Sequence, residues 1–109
     1  MSIELFIPKN EFDNFVNELC ESDEKERDIF DCDRALLTEV LYQVDDVITF
    51  IVEGCGVFNL KVVLRNHTPE KARWAITLKI VHETSDQMDP CALASYLKTK
   101  WKLWSCFDR

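Results

Sequence analysis

Cys55 stands between Gly54 and Gly56, the only two glycines of the chain. A cysteine acts as a nucleophile when a nearby base, usually histidine, supports its thiolate. The candidate bases are His67 and His82. The glycine pair has a simpler use, however. Short hairpin loops need residues with positive φ, which glycine adopts without steric cost. The expected role of Gly54-Cys55-Gly56 is therefore a strand reversal with Cys55 at its tip. One strand of eight or nine residues would part this turn from the loop holding His67, roughly 25–30 Å away. Cys55 with His82 is then the only pairing left for a cysteine-dependent enzyme.

Metal chemistry finds less support. Asp28, Asp31 and Asp33 around Cys32 offer oxygen ligands, but the stretch lacks the glycine and terminal glutamate of a calcium loop. The five cysteines (Cys20, Cys32, Cys55, Cys91, Cys106) form no C-x-x-C pair. The expectation is free thiols that fill space as small apolar groups. There is no H-E-x-x-H, P-loop or G-x-G-x-x-G. The sequence thus predicts no catalytic residue, no metal site and no cofactor. "KTKWKLWSCF" interleaves lysine with tryptophan, a pattern seen where proteins meet nucleic acids or membranes. On a helix, though, Trp101 and Trp104 share a face with Leu93 and Leu97. That predicts core packing, with Lys98 and Lys102 in water and Lys100 forced to snorkel or to mark where the helix frays.

The elements that would position these residues follow from periodicity. Ile3, Leu5 and Ile7 alternate as a strand that Pro8 stops. Asn10 suits an N-cap for a helix bearing Phe12, Phe15, Val16 and Leu19 on one face. Residues 21–33 are dense in like charges, and so predict an exposed, partly mobile connection anchored by Ile29 and Phe30. Asp33 can cap a second helix with Leu37, Val40, Leu41 and Val44 on one face. "VITFIVE", "VFNLKVVLR" and "RWAITLKIVH" then alternate with period two, as three strands of an antiparallel meander. "NHTPEKA" reads as the loop before the third of these strands. Asp89 followed by Pro90 opens the last helix. The order β-α-α-β-β-β-α predicts a single α+β domain over 1–109, a two-layer sandwich with helices on one face of the sheet. The helix–three strands–helix portion resembles the topology of double-stranded RNA-binding domains. Its second helix opens with Asp86, Asp89 and Pro90, where those domains carry basic residues.

Charge is divided along the chain. Residues 1–60 carry 15 acidic and 4 basic side chains, whereas residues 61–109 carry 5 and 9, within a net charge of −7. Such a split points either to an internal electrostatic match or to two surfaces with different partners. No apolar run approaches the roughly 18 residues of a membrane helix, and the start "MSIELFIPKNEF" has no basic leader. These features predict a cytoplasmic protein that does not meet the membrane.

The expected function is therefore non-catalytic: a small acidic intracellular protein that binds another protein. The acidic surface would come from Glu18, Glu21, Asp23, Glu24, Glu26, Asp28, Asp31 and Asp33. It suits a basic partner such as a nucleic-acid-binding protein, in the manner of an inhibitor or immunity-type protein. The uncovered face of the sheet, with Val47, Thr49, Ile51, Val57, Val63, Ala75, Thr77 and Val81, predicts a homodimer or heteromer. The alternative is a nucleic-acid-binding module using Lys61, Arg65, Arg73 and Lys79 on that face, against the opposing net charge.

Overall fold

The computed structural model describes residues 2–18, 24–54, 56–82 and 88–103. They form an α+β fold in which one curled sheet of six strands carries three helices on one face. β1 (Ser2–Ile7) turns Leu5 and Ile7 into the core. Pro8 ends it and leads into a 3-10 turn over Lys9–Phe12, which runs into α1 (Asp13–Glu18). Asn10 lies inside that turn and does not cap it. The Lys9 backbone N–H instead donates to Asp33 Oδ1 at 2.6 Å. Asp33 thus caps a helical start, as its type suggests, but one that precedes it by 24 residues.

α2 (Glu24–Phe30) lies within the acidic stretch expected to be an exposed, partly mobile connection. Its last turn buries Ile29 and Phe30, the two anchors read from the sequence. The Phe30 ring sits 5.4 Å from Phe12 and 6.0 Å from Phe15, tying α2 to the segment that follows β1. This apolar attachment offsets the repulsion among the charges around it.

The second expected helix does not form. β2 (Arg34–Thr38) is a strand, and residues 39–46 are an irregular connection. The proposed helical face is largely open to solvent, with Leu37 55% and Val40 51% exposed and Leu41 and Val44 also on the surface. Two long-range demands decide the outcome. β1 needs an antiparallel neighbour, which β2 supplies in the register Leu5 to Leu36. The strand also buries Arg34 against the end of the last helix, where its guanidinium meets two backbone carbonyls. Without a helix at 34–44, the likeness to double-stranded RNA-binding domains is lost.

β3 (Val47–Val52), β4 (Gly56–Thr68) and β5 (Arg73–Ile80) form the expected antiparallel meander. The sheet extends beyond it, in the order β3-β4-β5-β1-β2-β6. β1 runs parallel to β5 and couples the first strand of the chain to the last strand of the meander. β4 is longer than expected and takes up Asn66, His67 and Thr68, so only Pro69 to Ala72 remain as the connection to β5. A register shift between Val62 and Leu64 reverses the facing of the rest of β4. α3 (Pro90–Lys100) begins as read, with Pro90 in its first turn and Asp89 Oδ1 accepting from the Cys91 N–H at 3.1 Å. It stops at Lys100, the residue whose charge falls in the apolar sector. Trp101 is buried just past its end, and β6 (Lys102–Leu103) pairs with β2. Trp104 lies outside the described residues.

The core lies between the sheet and the helices. Phe58, Leu60, Val62, Ile76, Leu78 and Ile80 from the meander meet Phe12, Phe30, Leu93, Leu97 and Trp101 from the helical layer. Among the described residues, no helix is long and apolar enough to cross a membrane.

Both glycines flanking Cys55 have positive φ, +79° at Gly54 and +119° at Gly56. An added Cβ would meet no atom within 4 Å at either position, so a side chain there costs only backbone strain. The value at Gly56 lies well beyond the left-handed region open to other residues. Gly56→Ala should lower stability by about 1–3 kcal/mol. Gly54→Asn should cost less, because asparagine tolerates left-handed φ better than other residues. Equal chemical-denaturation midpoints for the two variants would contradict this.

Candidate functional site

The cysteine pairing cannot be built from the described residues, because Cys55 lies outside them. His67 sits near the far end of the long strand β4, stacked on Trp74 with ring centroids 4.4 Å apart. His82 is exposed just past β5, at the end of the sheet nearer the Gly54–Gly56 turn. Of the described cysteines, Cys32 is a half-buried free thiol and Cys91 is exposed. Among the described residues, no three His, Cys, Asp or Glu side chains come close enough to hold a metal ion.

The acidic segment proves to be partly helical. Asp28 and Asp31 are exposed, Glu26 is half-buried, and Asp33 is drawn inward by its bond to Lys9. Glu18 and Glu24 fall within α1 and α2. Glu21 and Asp23 lie outside the described residues. Asp28 and Asp31 thus keep exposed carboxylates in this segment, whereas Asp33 has a structural task.

The four basic residues assigned to the outer sheet face do not form one patch. Lys61 Nζ stands 3.5 Å from Asp45, and Arg73 Nη1 stands 3.7 Å from the buried Glu4. Beyond the bulge, Arg65 faces the helix-covered side. It lies opposite the core residue Ile76, with its guanidinium 4.9 Å from the Trp74 ring centre. Only Lys79 stands exposed on the outer face as expected. The Trp74 ring is already engaged by Arg65 and His67, so it is not free to stack on a base.

The outer face of β3 and β4 offers a different surface. Val47 is 58% and Ile51 78% exposed, and Val57, Val63 and Leu64 continue the same open apolar area. Thr49 and Asn59 lie between them, joined by a side-chain hydrogen bond of 2.5 Å. The sequence identified most of this face by alternation. It missed Leu64, because the bulge that turns this residue outward leaves no period-two signal. Beside the free edge of β3 runs a groove of about 490 Å³, lined by Ile51, Val52 and Glu53 on the strand and by Ala92, Ser95, Tyr96, Thr99 and Lys100 on α3. Burial raises the pKa of the Tyr96 phenol, partly opposed by its contact with Trp101, so this wall of the groove carries a neutral hydroxyl.

Comparison with known protein families, curated proteins and solved structures finds no match.

Proposed function

We propose that this chain is a non-catalytic protein that works by binding another protein. The observation that carries this is the open apolar face of β3 and β4, where Val47, Ile51, Val57, Val63 and Leu64 are exposed together. Isolated exposed aliphatics need no explanation, but a contiguous sheet face that no described element covers is the usual mark of an interaction surface.

Charge bears on the kind of partner. The chain has a net charge of −7, and Asp45, Asp46 and Glu53 lie exposed at the two ends of β3. A second copy would bring the same acidic groups into contact, whereas a basic partner would relieve them. The surface therefore favours a heteromer with a basic protein, a nucleic-acid-binding protein among them, over a homodimer. An inhibitor or immunity-type role belongs to this class. The exposed carboxylates of Asp28 and Asp31 add to the long-range attraction that brings such a partner in.

The test is a paired substitution, Val63→Lys with Leu64→Lys, at two exposed positions where the native fold loses little. Proteins retained by the wild-type chain from native lysate should be lost to the double variant when both have equal melting temperatures. Retention of the same set by both would remove this face from consideration. Retention equal to that of an unrelated acidic protein would remove the binding function itself.

A further inference from the structure

We propose that the free edge of β3, beside the α3 groove, takes up an extended segment of a basic partner as a seventh strand of the sheet. This deepens the protein-binding function above and rests on it. Among the described residues, β3 is hydrogen-bonded to β4 alone. The Val62 N–H donates to the Asp46 carbonyl at 2.9 Å, which fixes the alternation of the ladder. Ile48 and Phe50 exchange bonds with Leu60 and Phe58. The backbone N–H and C=O groups of Val47, Thr49 and Ile51 therefore point along the open edge, spaced for a strand and for no other backbone conformation.

Edge strands are usually guarded by brevity, a lysine, a proline or a bulge. At the opposite edge of this sheet, β6 spans two described residues and contains Lys102. β3 is six residues long, reads VITFIV and has none of these guards. Ile51, 78% exposed, also borders the groove against α3. A strand laid along β3 would set alternate side chains over the outer face beside Val47 and Ile51. The intervening ones would point toward the groove, among Tyr96, Ser95 and Thr99.

Charge selects the occupant. Asp45, which also stands 3.5 Å from Lys61 Nζ, and Asp46 precede the strand, and Glu53 follows it. In an antiparallel pair centred on Thr49, a second copy would set its Glu53 against Asp45, an arrangement of like charges. A segment with alternating apolar residues and a lysine or arginine at each end would meet those carboxylates with opposite charge.

The experiment selects a displayed library of random twelve-residue peptides on the 109-residue chain. The enriched peptides are then measured as synthetic probes. They should alternate apolar residues between basic ends, and they should slow hydrogen exchange at the amides of Val47, Thr49 and Ile51. Ile51→Pro removes an N–H that β4 does not use, and should weaken binding at least tenfold. Ile51→Lys should do the same, and it covers the case in which proline disturbs folding. Exchanging the basic ends of the probe for glutamate should also weaken it at least tenfold. Enriched peptides that bind both variants as tightly as the wild type, or no enrichment at all, would overturn strand addition. So would concentration-dependent protection of those three amides in the chain alone, which would assign the edge to a second copy. If lysate partners are lost with Val63→Lys and Leu64→Lys but kept with Ile51→Pro, the protein-binding function stands and the strand-addition mode fails.

Discussion

Trp101→Ala is expected to lower stability by about 3–5 kcal/mol, the range for removing a buried tryptophan from a core that cannot collapse into the space. Trp101 is 2% exposed and caps the C-terminal end of α3. Its ring meets the edge of Phe50 at 5.4 Å, with planes inclined by 66°, in the T-shaped arrangement aromatic pairs favour. The same residue therefore fills the layer between sheet and helix and fixes where the chain leaves α3 for β6. A domain of this size has a total stability on the order of 5–15 kcal/mol, so the loss would bring it near the folding threshold. Lys98→Ala, on the exposed side of the same helix, should shift the urea midpoint hardly at all. Equal midpoints for the two variants would mean that α3 is not packed through Trp101.

The contrast between those two positions was available from helical spacing, because it depends on neighbours three and four residues apart. So were the Asp89–Pro90 helix start, the reversal at Gly54 and Gly56 and the three-strand meander, each encoded in a window of a few residues. The features that sequence reading missed depend on distant partners. Nothing local in Ser2–Ile7 says that this strand runs parallel to β5, since parallel neighbours share no turn. Leu37, Val40, Leu41 and Val44 have good helical spacing, but Arg34–Thr38 gains more by pairing with β1 and reaching α3. The bulge after Val62 moved Arg65 off the outer face and dispersed the basic patch that alternation implied. The candidate surface shows the same division. Val47 and Ile51 could be read as outward-facing, but the free edge of β3 became apparent only once β1 was seen to pair with β5.

Arg34 was not singled out by any sequence pattern, and its loss is the other large effect expected. It is 5% exposed, and its Nη2 donates to the carbonyls of Leu97 at 3.0 Å and Trp101 at 2.9 Å. These groups lie at the negative end of the α3 dipole, where backbone acceptors are left over and a cation is favoured. The Leu97 carbonyl keeps a second bond from the Trp101 N–H at 2.8 Å, so the Trp101 carbonyl is the more dependent of the two. Arg34→Met keeps much of the side-chain volume but removes the donors. It should cost about 2–4 kcal/mol, from the charge-assisted bonds and the acceptor left without its donor. Arg34→Lys keeps the charge but not the planar guanidinium whose Nη2 is set between the two carbonyls, and should recover only part of the loss. Arginine stays protonated throughout the working range, so the deficit should be the same at pH 5 and pH 9. The readouts are urea denaturation at both pH values and hydrogen exchange across α3 and β6. The variant should fray first at Lys98 to Leu103, ahead of β4 and β5. A wild-type midpoint for Arg34→Met, or fraying spread evenly over the sheet, would show that Arg34 does not hold the end of this helix.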